Sequence, residues 1–279
     1  MNELSDKKYW DSVHKNQNSD KKAGPSRGRL KLFATKLLGE RCLRYYSDYL
    51  LWDVILPKYL PHDKGLKVIE IGSAPGETLI KLKESFGLIP YGVEYSEPGV
   101  ELNRKNFIEH NIDPDNVIHA DFSSLEFQEK YKGYFDVVIS VGFIEHFDNP
   151  KEIIDRHFNL ISDRGFLIVI IPNVRGFNYF LGYIFNKDIL PLHNLKIMQE
   201  KEFCGLFDRE ILDVKLCRYY GTFDFGLFNT KEKSPMRFLL SFCKMCQAFL
   251  NVIFPWLFKD KGSESSFFSP YLIFIGVKK

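Results

Sequence analysis

Apolar residues recur along this chain in two rhythms, and the switches between them mark its elements. A short apolar run at 68–71, broken only by Glu70, stops at Gly72, Pro75 and Gly76, and a helix-like pattern begins at once. Such a run reads as a buried strand, and the alternation it starts continues to residue 173. Strand-like runs stand at 90–96, 117–122, 135–147 (a strand with its loop) and 165–173. Strands that alternate with helices predict an α/β fold built on a doubly wound parallel sheet. Runs at 211–220 and 269–277 supply a sixth and a seventh strand. Residues 30–60 have a helical pattern that stops at Pro61, which divides the chain into a helical cap over 1–62 and a main domain over 63–279. Before residue 30 only 8–14 reads as ordered, with Tyr9 and Trp10 able to dock on the domain.

Charge and cysteine content narrow the function classes. The 38 Lys and Arg nearly cancel the 36 Asp and Glu, a net charge of +2. That balance gives no electrostatic footprint for DNA and counts against RNA. Residues 1–22 are polar and contain no apolar stretch of a secretory signal. With five cysteines, an odd number, this points to the cytoplasm and to free thiols.

The turn after the first strand carries the candidate chemistry. A strand that breaks into a Gly-rich turn and a helix brings a ligand close to unpaired backbone N–H groups. In the phosphate-binding form, G-x-G-x-x-G, the three glycine places fall here on Gly72, Ala74 and Glu77. An acidic side chain there repels a pyrophosphate, and Glu70 at the strand end adds a second carboxylate. The site therefore suits a ligand with a cationic or hydrogen-bond-donating group, such as an amino-acid ammonium.

These residues resemble motif I of the class I S-adenosylmethionine (SAM)-dependent methyltransferases, and three later stretches agree in order and spacing. The resemblance implies a Rossmann-like, seven-stranded sheet whose last strand runs antiparallel beside the fifth, with SAM at the carboxyl ends of the parallel strands. It implies that Glu70, Gly72, Ser73, Ala74 and Gly76 form the first binding turn. Glu94, followed by Tyr95, would accept hydrogen bonds from the ribose hydroxyls, since an ionised carboxylate is acceptor-only. Asp121 would accept from the adenine amine, Phe122 would lie against the ring, and Val141 opens the loop facing the methyl group. An opening Tyr-Trp-Asp segment, here Tyr9-Trp10-Asp11, covers the cofactor in many members; the other reading is an aromatic pair tacking down a terminal helix.

Departures from a minimal member lie at 174–203 and 221–268, two insertions that would shape the acceptor pocket. Pro172-Asn173-Val174-Arg175-Gly176, with His193-Asn194 and Met198, is similar to a pattern in bacterial enzymes of surface-glycan and lipid biosynthesis. The implied reaction is methyl transfer to a small-molecule, glycan or lipid-linked acceptor at oxygen. His146 and His193 are the candidate bases, each with a plainer reading as a backbone-bonding loop histidine. Glu145-His146 also resembles a metal-assisted pair in quinone methyltransferases, but Gly142 stands where that pattern has a further Glu, so no metal is expected. Two alternatives remain. Glu70-x-Gly72-x-x-Pro75-Gly76 echoes RNA ribose methyltransferases, whose Asp after the fourth strand is missing from Val141-Gly142-Phe143. The other is a SAM-binding protein without catalysis.

Residues 238–258 are long and apolar enough to raise a membrane span. Ser241, Lys244, Gln247 and Asn251 nevertheless recur on one helical face, and Pro255 interrupts the helix. The expectation is a lid packed on the domain, with peripheral membrane contact as the alternative. Cys243-Lys244-Met245-Cys246 is half a zinc site at most and reads as packing thiols.

Overall fold

The computed structural model describes residues 3–20, 40–230 and 234–279. The described strands are β1 (Lys67–Ile71), β2 (Ile89–Glu94), β3 (Val117–His119), β4 (Phe135–Val141), β5 (Ile161–Pro172), β6 (Leu212–Tyr220) and β7 (Tyr271–Lys278). They form one sheet in the order β3-β2-β1-β4-β5-β7-β6. β1 to β5 pair in parallel, while β7 runs antiparallel between β5 and β6. This is the Rossmann-like sheet expected from the sequence, including the antiparallel last strand.

The apolar runs read as strands because both faces of the sheet are covered. Ile69, Val138 and Leu167 point into one core, and their neighbours Val68, Val137 and Ile168 point into the other. The connecting helices α4 (Glu77–Phe86), α5 (Glu97–Glu109), α6 (Leu125–Lys130) and α7 (Pro150–Leu160) alternate with the first five strands.

An N-terminal helix, α1 (Lys7–Asp20), extends the ordered stretch expected at 8–14. The helical pattern of 30–60 is partly outside the described residues; what is described is α2 (Tyr46–Tyr49), a π-helical turn (Leu50–Ile55) and α3 (Leu56–Tyr59). The helix stops at Leu60, whose backbone is extended ahead of Pro61, as the clash with a following proline ring requires.

The two departures from a minimal sheet fold onto each other. The first contains α8 (Phe177–Asn186) and α9 (Glu200–Cys204), the second α10 (Met236–Phe258). Leu181 and Phe185 from α8 meet Phe228 and Leu240 in a small separate core. The Pro172–Gly176 pattern explains how this layer is tied to the sheet. Buried Asn173 donates through Nδ2 to the Ser269 carbonyl at 2.8 Å and to Ser266 at 3.3 Å. The Arg175 guanidinium donates to the Leu195 carbonyl at 3.1 Å, and Met198 Sδ accepts from the Val174 N–H. Within this structure the pattern serves architecture rather than chemistry.

One expectation is corrected here. Cys204 on α9 and Cys217 on β6 form a disulfide with their Cα atoms 6.0 Å apart, so these two are not free thiols. Nothing local signals the pairing, because it depends on α9 packing against β6. Cys42, Cys243 and Cys246 are free, as expected for all five.

Replacing Asn173 by Ala removes its Nδ2 bonds to the Ser266 and Ser269 carbonyls, of which Ser269 keeps Asn178 Nδ2 as a donor at 3.1 Å, and should cost about 1 kcal/mol of stability. Urea unfolding of the variant against the parent chain measures it, and an unchanged midpoint would remove Asn173 as the tie.

Candidate active site

At the carboxyl ends of β1, β2, β3 and β4 the loops surround a cavity of about 790 Å³ of non-atom space, part of it open to solvent. It lies where strand order reverses between β1 and β4, the place where open α/β sheets bind ligands. Its floor is the turn after β1. Gly72 has φ +70°, and a Cβ there would come within 2.7 Å of the Phe143 ring, so a glycine is required on both counts. The Gly72 and Ser73 N–H groups both donate to the Val93 carbonyl, at 3.0 and 3.2 Å, which stitches the turn to β2. From the other side α5 fixes the turn through Asn103, which donates to Ser73 Oγ at 2.6 Å, and Asn106, which donates to the Pro75 carbonyl at 2.8 Å.

Of the expected cofactor residues, Gly72, Ala74, Glu94, Tyr95, Asp121, Phe122 and Val141 line the cavity, whereas Glu70, Ser73 and Gly76 do not. Ser73 is consumed by Asn103, and Gly76 caps α4 at φ +89° with Asn103 and Phe107 packed on it. Glu70 is buried beneath the turn. Burial raises its carboxyl to about 8, the Thr78 side-chain hydrogen bond opposes this, and Oε2 has no partner among the described residues.

Glu94 ends β2 with its carboxylate buried in the wall. Oε1 accepts from the Ser96 N–H at 2.8 Å and Oε2 from the Ala74 N–H at 3.4 Å. Burial raises its pKa, and the Ser96 hydrogen bond and the His14 charge oppose the rise. Asp121 Oδ1 accepts from the Ser123 N–H at 2.8 Å, closing an Asx turn that aims the side chain. Phe122 is held edge-on against Phe143. Glu3, Glu94 and Asp121 line the cavity with no Lys or Arg among the lining residues. That field favours a cationic ligand and repels phosphates.

The N-terminal helix forms the roof. Trp10 and His14 line the cavity, and Trp10 donates through Nε1 to Ser5 Oγ at 3.1 Å. Ser96 Oγ donates to Asp11 Oδ1 at 2.6 Å, which anchors α1 beside Glu94. Of Tyr9-Trp10-Asp11, Trp10 lines the cavity while Tyr9 and Asp11 do not. Ser5, His14, Asn103, Asn106, Phe143 and Phe147 escaped sequence reasoning, because ordinary helix and loop residues carry no signal until the fold brings them together.

His146 faces the cavity and His193 does not. His146 follows β4 in a single 3-10 turn, Ile144–His146. The Leu192 carbonyl, 2.8 Å from its Nδ1, can only accept, so Nδ1 carries the proton and Nε2 offers a lone pair. His193 stands behind it, ring centroids 4.8 Å apart, with its own Nδ1 2.6 Å from the Ile189 carbonyl. Burial lowers the His146 pKa to about 3, helped by the neighbouring His193, and burial lowers His193 as well. Trp10 stacks edge-on against His146 at 5.1 Å.

Glu145 is buried beside this pair, with Oε1 3.9 Å from His146 Nε2, Oε2 without a partner among the described residues, and a pKa raised to about 8 by burial. Glu145, His146 and His193 each offer one ligand atom, all within 4.8 Å of one another. The sequence counts against a metal because Gly142 replaces a Glu, yet the fold brings in His193 as a third donor.

A methyltransferase-domain family matches residues 43–219. The ubiquinone biosynthesis O-methyltransferase of Shewanella sp. (strain ANA-3) is 24% identical over 161 residues. That alignment spans 55% of this chain and 65% of the enzyme, so less than two thirds of the relative's length is covered. Among solved structures, Haemonchus contortus phosphoethanolamine N-methyltransferase 2, in complex with phosphomonomethylethanolamine and S-adenosylhomocysteine, superimposes with a TM-score of 0.53. Its identity is 16%, with 82% of this chain and 52% of that chain covered. The (4+2)-cyclase SpnF superimposes with a TM-score of 0.51 at 12% identity, covering 82% and 80%. At such identities the likeness shows the fold alone, and a fold does not fix a reaction. The family match and the strand-end carboxylates agree: the chain belongs to the class I SAM-dependent methyltransferase family.

Proposed function

We propose that this chain methylates an oxygen of a small acceptor with a largely apolar body, free or lipid-linked, and that His146 receives the acceptor's proton. The observation that carries this reading is the Nε2 lone pair of His146, oriented by the Leu192 carbonyl and set in the cavity wall. Aromatic walls from Trp10, Phe143 and Phe147 favour an apolar acceptor over a glycan or RNA. The Shewanella relative is named for an O-methyl transfer in ubiquinone biosynthesis, which supports oxygen as the accepting atom.

SAM supplies an electrophilic methyl group on a positively charged sulfur. Glu94 would hold the ribose hydroxyls, Asp121 and Phe122 the adenine, and the Gly72 turn above Glu70 the amino-acid end. Positioning then provides most of the acceleration. On transfer of the methyl group from the donor's sulfur to the acceptor oxygen, His146 Nε2 would take the acceptor's proton. Burial keeps that nitrogen unprotonated before the reaction, and an ionised Glu145 3.9 Å away stabilises the imidazolium that forms. Trp10 and Phe147 keep water from the reacting atoms.

A second reading rests on the grouping of Glu145, His146 and His193. Both imidazoles give Nδ1–H to a backbone carbonyl, the arrangement usual for metal-bound histidines. Two nitrogens and one carboxylate suit zinc, manganese or iron better than magnesium, and a cation there would polarise the acceptor oxygen.

Glu94→Gln should weaken SAM binding about tenfold or more in calorimetric titration, since it replaces half of a charged acceptor pair by an amide. His146→Gln should lower kcat by about 10²-fold or more with the SAM affinity retained. Because burial holds His146 near 3 and Glu145 near 8, turnover should show no His146 limb between pH 5 and 7 and should rise as Glu145 loses its proton around pH 8. Glu145→Gln should flatten that rise; a rise unchanged in this variant would remove Glu145 from the mechanism. Finally, turnover unaffected by EDTA supports the base reading, whereas loss restored by added zinc or manganese supports the metal one.

A further inference from the structure

The helix α10 is amphipathic in the reverse of the usual sense. Of the polar row read from the sequence, Gln247 and Asn251 are 1% and 3% exposed and face the protein, whereas Lys244 is half-buried and Ser241 exposed. Gln247 Nε2 donates to the Phe223 carbonyl at 3.3 Å and to Asn251 Oδ1 at 3.0 Å, and Asn251 donates to the Cys42 carbonyl at 3.0 Å. Phe254 and Phe258 complete the inner face against Tyr46 of α2.

The opposite face is apolar and open. Phe238, Phe242, Met245, Phe249, Val252 and Trp256 follow one another at steps of four and three residues, so they form one stripe along the whole helix. Their exposures are 86%, 58%, 43%, 46%, 37% and 79%. At ~200 Å² for a large side chain this is on the order of 700 Å² of continuous apolar surface, beyond what a soluble monomer leaves bare without a use. None of these residues lines the cavity, so the stripe is not a lid over the site.

Charge selects the occupant. Met236–Phe258 contains no acidic residue; exposed Arg237 stands at one end, and Lys259 and Lys261 at the other beside Trp256. Asp260, between the two lysines, accepts from the Tyr49 hydroxyl at 2.6 Å. A second copy of this helix would bring like charges together in either direction. Antiparallel pairing opposes Arg237 to Lys259 and Lys261, and parallel pairing opposes each to itself. An anionic headgroup layer meets Lys259 and Lys261 beside Trp256, while the aromatic stripe enters the acyl boundary.

We propose that α10 seats this protein peripherally on an anionic lipid bilayer, apolar stripe downward, with Gln247 and Asn251 remaining hydrogen-bonded to the domain. The inference does not depend on which acceptor is methylated. It is tested by flotation of the 279-residue chain with vesicles of phosphatidylcholine alone or mixed with phosphatidylglycerol. The chain should float with the mixed vesicles and much less with phosphatidylcholine. The double substitution Phe242→Asp and Phe249→Asp should reduce the bound fraction about tenfold or more while near-UV circular dichroism stays unchanged. Should that variant lose its fold, Arg237→Gln with Lys259→Gln and Lys261→Gln tests the same idea, and should abolish the preference for the anionic vesicles. A wild-type chain that stays in the soluble fraction with both vesicles overturns the proposal. So does a stable dimer in sedimentation equilibrium that Phe242→Asp and Phe249→Asp make monomeric, since a second copy would then cover the stripe.

Discussion

The close approach of the β1 turn to the β4 loop is the constraint from which the rest of the site follows. Gly72 can lie against Phe143 only because it has no Cβ and accepts a positive φ. With that contact made, Phe143 is placed to meet Phe122 and Phe147, and the loop beyond it delivers His146 to the same opening with Glu145 buried beside it. Any side chain at Gly72 would press on the Phe143 ring and push the β4 loop away from the β1 turn.

Burial without compensation is the second theme. Glu70 and Glu145 each have a carboxylate oxygen with no partner among the described residues, and each is raised to about 8. A chain rarely tolerates two such groups unless a charge or donor arrives to meet them. One lies under the β1 turn and the other beside His146 at the end of β4.

The legibility of the sequence divides along similar lines. Strand-end carboxylates such as Glu94 could be read because each sits directly after its own apolar run, and the seven strands could be placed for the same reason. The roof could be read only in outline, since Trp10 was visible but His14 and Ser5 were not. The partnership of His146 with His193 was hidden by 46 intervening residues. Cys204 and Cys217 were opaque because helix packing, not spacing, joins them. In α10 periodicity picked out one polar row, of which Gln247 and Asn251 are buried while Ser241 is exposed and Lys244 half-buried; which part faces the protein depends on carbonyl groups of Phe223 and Cys42 that no helical pattern contains.

The antiparallel β7 has a consequence for geography. Tyr271 at its start pairs with Pro172 at the end of β5 and with Tyr220 at the end of β6. The excursion carrying α10 therefore leaves and re-enters the sheet at the edge where the carboxyl ends of β1 to β4 open. With α10 seated on a bilayer as proposed, a molecule dissolved beneath it would approach from the side of the sheet on which the cavity opens, with no need to travel around the protein through water.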